Sequence, residues 1–390
     1  MTQQLAPPAA PSDPAAPSDP ARSPRLTVTI EPAANLPARL DDWAALEASH
    51  PTPHYAASHA WNAAWAACYA DTVDCRIAVL RDGDEPLGFW LLPLSRHRHI
   101  GPFRLRTGHL GTAGEPEADS IFIEHNRPYL ADDSDELAAH FTRLLIDQIR
   151  RLRVDRFHLD GLPTAVIPEE RRNCSRHEIR ESYYFDFAEL RDAEPDSVLR
   201  SVRRKTRSNY RRAARDYDGL RTEWSGGETA QSLLTTLIEL HQARWIAAGK
   251  PGTFGGTRVE PFVRSLIDQG VCDVAMTLDA AGPVGGCLLA RESGRAVCLI
   301  VGFDSTERRS SPGLVALLPI LQAAADRGMA GFEFLVGDNL YKRMLSNRTT
   351  TLSWTRCPRW TPRMTLVRGL RRTRRLFRNP TAALAEPIAD

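Results

Sequence analysis

The sequence predicts an α/β protein built from two copies of one unit, and two observations support this. Residues 75–92, CRIAVLRDGDEPLGFWLL, align without a gap with residues 272–289, CDVAMTLDAAGPVGGCLL. Each segment reads as strand, tight turn and strand, followed by more strand, a helix and a short strand ending in glycine. The expected helix and final strand of the two copies are 134–152 with 155–161, and 312–328 with 331–337. The shared order favours a duplication with its boundary near 190–195.

The chain of 390 residues is long enough for two domains of roughly 150–200 residues each. Residues 1–24 are rich in proline and alanine and predict a disordered tail. We expect a first, degenerate domain at 25–192 and a second domain at 193–366. Residues 367–390 include six arginines among their first twelve residues and predict a basic tail, either simply solvated or in contact with an anionic membrane surface.

Composition restricts the class of protein. The formal net charge is +2, so the overall charge does not indicate a nucleic acid or a membrane as the partner. The seven cysteines include no C-x-x-C pair, which disfavours a zinc site or a disulfide framework and fits a reducing compartment. The chain shows neither an apolar run of the roughly 18 residues that span a bilayer nor a secretory signal. We therefore expect a cytoplasmic protein without a metal ion.

The stretch SSPGLVALLPILQ, residues 310–322, opens a helix in a way that suits an anion. Ser311 is a favourable N-cap, Pro312 a favourable first residue, and Gly313 allows close approach to the backbone. The free N–H groups of Gly313 and Leu314 would face a phosphate or pyrophosphate, because a helix N-terminus carries unpaired donors and positive potential. Arg308 and Arg309 precede this end and would add positive charge.

The corresponding helix of the first half begins differently, with LADDSDEL at residues 130–137. Its acidic residues stabilise a helix N-terminus but repel an anion. They are Asp132, Asp133, Asp135 and Glu136. The second copy therefore resembles a phosphate-binding unit and the first does not.

Two common nucleotide-binding patterns are absent from the sequence. It contains neither G-x-G-x-x-G nor G-x-x-x-x-G-K-[ST], and its units begin with antiparallel hairpins. The segment 283–345, PVGGCLL to LYKRML, instead resembles the core of GNAT-fold acyltransferases. More narrowly, it resembles the CelD-like branch associated with polysaccharide biosynthesis, a branch related to the tandem-GNAT FemABX transferases. LRSVRRKTRSNYRRAAR and ELHQARW are similar to further segments of this branch.

The resemblance implies two tandem GNAT-like domains, each a mixed, partly antiparallel sheet flanked by helices. It also implies an acyl-CoA donor, with acetyl-CoA expected, whose pantetheine lies between residues 299–304 and 332–337. Tyr341 resembles the tyrosine that protonates the CoA sulfur, and backbone N–H groups near Gly302 would stabilise the oxyanion. The full set of donor-binding candidates is Gly302, Phe303, Arg308, Arg309, Ser310, Ser311, Gly313 and Leu314.

The candidates for acid–base chemistry and acceptor binding follow from the same segments. Asp338, Glu333 and Asp304 are candidates for a base or for binding the amine. His241 and Trp245 lie one helical turn apart. The predicted catalytic residues are Tyr341, Asp338, Glu333 and His241, and the predicted acceptor-binding residues are Arg203, Arg207, Trp245 and Lys342.

Residues 195–217 predict one basic amphipathic helix with Leu199, Val202, Thr206, Tyr210, Ala213 and Tyr217 on its apolar face. Its arginines at successive i+4 positions, Arg203, Arg207, Arg211 and Arg215, repel one another unless a partner offsets the charge. A solvated face, a phosphate-bearing acceptor, the nucleotide end of CoA or RNA would each fit. Tyr210 and Tyr217 fall on the apolar face rather than among the arginines, which disfavours stacking on RNA bases.

The sequence thus predicts transfer of an acyl group to an amine or hydroxyl of a small-molecule or glycan-linked acceptor, sugar-related or from the cell envelope. The first domain would form one wall of the acceptor cleft. Two alternatives remain open: a FemABX-type transferase that uses aminoacyl-tRNA, and a non-catalytic accessory protein of polysaccharide biosynthesis.

Overall fold

A computed structural model describes residues 26–97, 99–100, 103–121, 123–168, 176–190, 196–304, 311–337, 339–359, 361 and 364–366. The tails predicted at 1–24 and 367–390 lie outside these ranges. The strands are β1 Leu26–Glu31, β2 Asp74–Asp82, β3 Glu85–Ser95, β4 His99–Ile100, β5 Phe103–Arg104, β6 Thr107–His109, β7 Tyr129–Leu130, β8 Arg156–Pro163, β9 Arg176–Asp186, β10 Arg221–Ser225, β11 Asp273–Asp279, β12 Gly282–Glu292, β13 Arg295–Phe303, β14 Gly331–Val336 and β15 Arg348–Pro358. The helices are α1 Leu36–Ser49, α2 His59–Tyr69, α3 Asp135–Ile149, α4 Ser197–Ser201, α5 Arg204–Ala213, α6 Gly227–Ala247, α7 Val259–Asp268, α8 Pro312–Asp326 and α9 Leu340–Leu345.

The strand order of the large mixed sheet is symmetric about its centre. It runs β1-β2-β3-β6-β8-β15-β9-β14-β13-β12-β11-β10, with β7 attached to β3. Counted inward from its edge, each half contributes its strands in the same order. The last strand of each half is exchanged: β15 pairs with β8, and β9 pairs with β14. The topology therefore repeats the internal duplication predicted from residues 75–92 and 272–289.

Parallel pairing occurs at two places in the described sheet, once in each half. In the second half, β13 and β14 pair only from Arg295 with Gly331 to Val297 with Glu333. In the first half, β6 and β8 pair only from Thr107 with Arg156 to His109 with His158. Beyond the last pair the two strands diverge, so each half has a potential gap at the carboxyl ends of its parallel strands.

The helices pack on both faces of the sheet, as the alternation of buried residues requires. On β11, Val274 and Met276 contribute to one core while Ala275 contributes to the other. The first core spans both halves, and in it Trp61 of α2 meets Phe262 of α7 edge to face at 5.1 Å. Their burial stabilises the two halves as one unit, since large aromatic side chains contribute strongly to packing.

The basic segment 195–217 is not the single helix that the sequence predicts. It forms α4 and α5, separated by extended backbone at Val202 and Arg203. Val198, Leu199 and Val202 pack against one side of α8, whereas Ala213 packs against Val315 and Ala316 of the same helix. We attribute the break to these two separate contacts with α8, which one straight helix would not reach together.

Two sequence expectations can be compared with the described residues. The six cysteines there are free thiols: Cys68, Cys75, Cys272, Cys287, Cys298 and Cys357. No described helix is both long and apolar enough to cross a membrane.

Candidate functional site

A cavity of about 480 Å³ occupies the gap where β13 and β14 diverge. Cys298–Val301 of β13 line one side and Phe334–Val336 of β14 line the other. Helix α6 contributes His241, Arg244 and Trp245, and α9 contributes Tyr341 and Lys342. The strands that border the cavity match the prediction from segments 299–304 and 332–337.

Strand β13 contains a β-bulge inside this gap. Ile300 pairs with Leu288 and Cys298 pairs with Leu289, so Leu299 has no cross-strand partner. A bulge bends the strand and leaves the extra residue outside the ladder. Beyond Val297 there is also no pairing with β14. The edge of β13 at Leu299–Val301 therefore offers backbone groups to a ligand in the cavity.

Strand β14 is strained directly across the gap. Leu335 adopts φ +63°, a left-handed conformation that costs a branched side chain roughly 1–3 kcal/mol. Lys342 Nζ donates to the carbonyl oxygens of Leu335, at 3.2 Å, and Val336, at 2.7 Å. The N–H of Val336 donates to Glu124 Oε2 at 2.7 Å. Lys342 and Glu124 thus hold the strained turn from opposite sides.

A second, smaller recess of about 130 Å³ adjoins the gap and lies between the two halves. Tyr55, Trp61 and Ile123 of the first half face Phe262 and Leu266 of the second. Most of its lining is apolar. The residues that line both the gap and the recess are Glu124, Thr253, Leu299, Ile300 and Leu335.

Glu124 is the carboxylate at this junction. Burial raises its pKa, and the hydrogen bond from Val336 and the charge of Lys342 oppose that rise. A carboxylate with a raised pKa at the meeting point of two cavities is suited to accept a proton. No pattern in the sequence indicates this residue, because Glu124 belongs to a loop of the first half and reaches the site only through tertiary packing.

Tyr341 lies on α9 with its ring against Phe334, at 6.3 Å between centroids. Burial raises its pKa, so the phenol is neutral at physiological pH and retains its proton. No described residue forms a hydrogen bond with its hydroxyl. The structure thus places the predicted proton donor in the wall of the gap, next to Cys298.

His241 is buried and both of its ring nitrogens have partners. Nδ1 lies 2.9 Å from the carbonyl oxygen of Val301, and Nε2 accepts from the N–H of Thr253 at 3.3 Å. Burial lowers its pKa, against the opposing effect of the Val301 carbonyl. A neutral imidazole held in this way joins α6 to β13 and positions the edge of the gap. It does not present a free nitrogen to a substrate.

Trp245, one turn further along α6, lines the gap. Its indole Nε1 is buried and finds no hydrogen-bond partner among the described residues. Lys250 Nζ lies 5.2 Å from the centre of its ring. An unsatisfied N–H is costly unless a ligand or water accepts it, and the role of Trp245 in acceptor binding stays a prediction.

Glu333 is fully buried beneath the gap rather than exposed within it. Burial raises its pKa to about 7, although Ser182 donates a hydrogen bond to it at 2.6 Å. Its Oε1 lies 3.9 Å from Nε2 of His125. Glu333 lines neither cavity, so the structure separates this predicted catalytic residue from the groups around Glu124 and Tyr341.

The neighbourhood of Glu333 continues as a buried polar network between the halves. His125 Nδ1 is 3.9 Å from Glu292, and Glu292 contacts His54, which also bonds to Asp133 at 2.7 Å. Burial opposes protonation of His54, but the two carboxylates outweigh it and raise the pKa to about 9. His54 is therefore a cation that joins acidic groups of both halves. The sequence did not identify this network.

The N-terminus of α8 differs in detail from the predicted phosphate site. Ser311 has φ +58° and its side chain makes no capping bond, while its carbonyl oxygen accepts from the N–H of Leu314 at 3.0 Å. Leu314 therefore has no free donor, contrary to the prediction. A Cβ on Gly313 would lie 3.1 Å from the ring of Phe303, so this glycine accommodates Phe303.

The other predicted donor-binding residues are placed as follows. Gly302 packs against α6, where a Cβ would lie 2.9 Å from the backbone N of His241. Phe303 carries the guanidinium of Arg244 on its ring, at 4.5 Å. Arg244 lines the gap and is a cation that the sequence analysis missed. Four predicted residues lie outside the described ranges: Arg308, Arg309, Ser310 and Asp338.

The predicted acceptor-binding arginines do not line the gap or the recess. Arg203 is exposed in the extended link before α5, and Arg207 donates to the carbonyl oxygen of Arg200 at 2.8 Å. Lys342, in contrast, is buried and engaged with β14, and burial lowers its pKa. Of the four predicted acceptor-binding residues, the structure brings only Trp245 and Lys342 to the cavity.

In the first half, the matching gap between β6 and β8 is occupied by residues 123–126. The N–H of Asn126 donates to the carbonyl oxygen of Gly161, and its side chain donates to those of Leu110 and Asp160. Gly161, with φ +69°, lets the carbonyl of Ile123 approach to 2.3 Å from where a Cβ would stand. The chain itself therefore fills the space that is a cavity in the second half.

Comparison with known proteins agrees with this geometry. Residues 200–343 match the family described as "Acetyltransferase (GNAT) domain". This stretch contains β13, α8, β14 and the start of α9, which surround the gap. No curated protein matches the sequence significantly.

Among solved structures, the crystal structure of FemX is similar with a TM-score of 0.53 at 11% identity, covering 84% of this chain and 98% of that one. A conserved protein of unknown function from Bacteroides thetaiotaomicron gives 0.49 at 11%, covering 82% and 97%. A tandem GNAT protein from the clavulanic acid biosynthesis pathway gives 0.40 at 13%, covering 85% and 98%. The likeness to FemX shows a shared fold, in agreement with the predicted tandem GNAT-like architecture.

Proposed function

We propose that this protein is an acyltransferase that binds acyl-CoA in the gap between β13 and β14 and transfers the acyl group to an amine or hydroxyl. The observation that carries the proposal is the divergence of two parallel strands around a cavity of about 480 Å³, with a bulge at Leu299. An extended ligand with amide groups, such as pantetheine, can pair with the free edge of a strand as an added strand would. The GNAT domain match over this region supports the choice of donor.

The residues around the junction supply the chemistry that acyl transfer needs. The attacking nitrogen or oxygen forms a bond to the thioester carbon, and its proton passes to Glu124. Backbone N–H groups at the bulge near Leu299 stabilise the oxyanion. When the carbon–sulfur bond breaks, Tyr341 gives its proton to the sulfur, and CoA leaves as the thiol.

The apolar recess is placed to receive the acyl chain, because it opens from Leu299 and Ile300, beside the expected thioester. Its volume of about 130 Å³ is several times the roughly 10–15 Å³ that holds one water. That is more than the methyl group of acetyl-CoA would fill. We therefore propose an acyl chain longer than acetyl, in place of the acetyl group expected from the sequence.

The test is calorimetric titration of the full chain with CoA, acetyl-CoA, butyryl-CoA and hexanoyl-CoA. CoA alone should bind, and affinity should rise with chain length by about 0.8 kcal/mol for each buried CH₂ until the recess is full. Absence of CoA binding at millimolar concentration would overturn the donor assignment. Binding of CoA with no effect of chain length would overturn only the role of the recess.

The acceptor remains a prediction. A sugar-related or cell-envelope acceptor is supported by the CelD-like resemblance of segment 283–345. A transfer assay with labelled acyl-CoA and pools of amines, amino sugars and glycans would identify it by mass spectrometry. CoA binding without transfer to any pool would favour an accessory, non-catalytic role.

The fold shared with FemX supports a second candidate function, a FemABX-type transferase with an aminoacyl-tRNA donor. That alternative predicts tRNA binding that weakens steeply as salt rises, since phosphate contacts release counterions. A filter-binding titration at low salt separates the two, because an acyl-CoA enzyme of the proposed kind needs no tRNA. Saturable tRNA binding together with failure to bind CoA would favour the alternative.

A further inference from the structure

A cluster of three potential metal ligands lies away from the proposed active site, where β6 and β8 diverge. His109 of β6 is the register partner of His158 of β8, and their rings meet edge to face at 5.1 Å between centroids. Asp160 follows His158 by two residues, so it lies on the same face of β8. Strand pairing alone therefore brings two imidazoles and a carboxylate together.

The distances within the cluster fit a small divalent ion. Nδ1 of His109 is 3.8 Å and Nδ1 of His158 is 3.4 Å from Oδ2 of Asp160. One ligand atom from each of the three residues lies within 4.8 Å of the others. Ligands of a tetrahedral zinc ion stand about 3.4 Å apart, given metal–ligand bonds of about 2.1 Å. Only small shifts would complete a three-ligand site.

The hydrogen bonding of His109 is a second observation, independent of the distances, that points to a metal ion. Both rings are buried, and Nδ1 of His109, which faces Asp160, has no hydrogen-bond partner among the residues that the structure describes. Its Nε2 lies 3.1 Å from Ser95 Oγ, which fixes the orientation of the ring in the way that outer partners of metal-bound histidines do. A Cβ on Gly114 would lie 2.7 Å from the His109 ring, so the glycine makes room for this orientation.

We propose that His109, His158 and Asp160 bind a divalent transition metal of the zinc class. Two imidazoles with one carboxylate favour zinc and its neighbours over calcium or magnesium, which prefer oxygen ligands. The ion joins β6 to β8 at the point where their pairing ends. Through Asp160, whose carbonyl oxygen accepts from Asn126, it also holds the segment 123–126 in the first-half gap. The site is structural and lies apart from the proposed acyl transfer.

The experiment uses the full chain, stripped with a chelator and titrated with Zn²⁺ by calorimetry and with Co²⁺ by visible absorption. We expect one ion per chain and the intense visible bands of four-coordinate Co²⁺, with a water as the fourth ligand beside the three side chains. His158→Gln and Asp160→Asn should each weaken binding at least tenfold. His140→Gln, on α3, is the control and should leave the affinity unchanged.

Far-UV circular dichroism and the urea unfolding midpoint of the two ligand variants serve as the measure of correct folding. Absence of stoichiometric Zn²⁺ binding by the wild-type chain would overturn the proposal and leave a hydrogen-bonded histidine–aspartate cluster. Zn²⁺ binding that persists unchanged in both variants would place the ion elsewhere and also overturn it.

Discussion

The two halves of this protein share one order of elements but use the gap between their parallel strands in opposite ways. In the second half the gap beyond Val297 and Glu333 is a cavity of about 480 Å³. In the first half the gap beyond His109 and His158 is filled by residues 123–126. The comparison shows that the repeated strand order leaves two potential clefts, and that in the first half a loop fills one of them.

The loop lengths account for the difference. Residues 110–134 connect β6 to α3 in the first half, whereas residues 304–311 connect β13 to α8 in the second. The longer connection has enough chain to fold back into its own gap. It also carries Glu124 across to the second half, where the carboxylate bonds to Val336. The loop that fills the first-half gap therefore also holds β14 at the edge of the second-half cavity.

The starts of the two corresponding helices differ as well. Ser134 caps α3 by accepting from the N–H of Leu137, and Asp133 bonds to His54 and Arg127. At α8, Ser311 makes no side-chain cap and no acidic residue lies in the first turn. Acidic groups close to a helix N-terminus already complement its dipole, so α3 has little potential left for an anion.

The largest expected effect comes from Glu124, which belongs to the loop that fills the first-half gap and lines the cavity of the second half. Glu124→Gln should lower the rate of acyl transfer by about 10²–10⁴-fold, because the base is lost, while CoA affinity changes little. Because burial raises the pKa of Glu124 above the ordinary 4.5, the wild-type rate should rise with pH through that higher pKa. This limb should vanish in the variant, as measured by pH–rate profiles.

Glu117→Gln, in an exposed turn of the same loop, is the matched control and should retain both the rate and the pH limb. A Glu124→Gln variant with wild-type turnover would exclude Glu124 as the base and make its bond to Val336 purely structural.

The second-largest effect is expected when a large side chain fills the second-half cavity, as residues 123–126 fill the first-half gap. Ile300→Trp places a large ring where the gap meets the recess, and we expect CoA to bind at least about 100-fold more weakly, near 2.7 kcal/mol. Calorimetry gives the affinity. Ile246→Trp, on the exposed side of α6, adds the same ring outside the gap and should bind CoA normally.

Releasing the loop that fills the first-half gap should cost stability rather than ligand affinity. Asn126 is buried, donates to Leu110 and Asp160 and accepts from Trp90 at 3.3 Å. Asn126→Ala leaves these groups unsatisfied, so we expect the free energy of unfolding in urea to fall by about 2–3 kcal/mol. Asn339→Ala, beside the open gap and exposed, should stay within about 0.5 kcal/mol of wild type.

The smallest expected effect concerns Glu333 at the last paired position of the second half. Its pKa in the folded chain is about 7, against an ordinary 4.5. The stability it contributes is present below pH 4.5 and is lost as pH rises towards 7, because the buried group must then ionise. In full, a rise of the pKa from 4.5 to about 7 corresponds to roughly 3 kcal/mol at pH 8. Glu333→Gln removes that loss but also weakens the contacts of the carboxylate with Ser182 and Arg295, so we expect the unfolding free energy at pH 8 to rise by only about 1–2 kcal/mol.

Denaturant unfolding at pH 5 and pH 8 measures this, with Glu228→Gln at the exposed start of α6 as the control. Equal pH dependence in wild type and Glu333→Gln would show that Glu333 ionises in the folded chain without cost.

The sequence was sufficient for features whose interactions are local or periodic. Residues 75–92 and 272–289 predicted hairpins that the structure contains as β2–β3 and β11–β12, because alternation and turn residues act over a few positions. The expected helices at 134–152 and 312–328 correspond to α3 and α8. The resemblance to GNAT enzymes also identified the two strands that border the open gap.

The sequence could not reveal groups that meet through the exchange and pairing of distant strands. Glu124 and Val336, or His109 and His158, are far apart in the chain and become neighbours only when the sheet forms. Tertiary packing also corrected one expectation, since contacts with α8 divided segment 195–217 into two helices. The correction at Leu314 is local, because its N–H bonds to the carbonyl oxygen of Ser311 three residues earlier. The sequence by itself determined the paired hairpins, the helices that follow them and the fact that this order occurs twice. Only the tertiary structure decided which gap is open, because loop packing, not local propensity, fills or leaves that space.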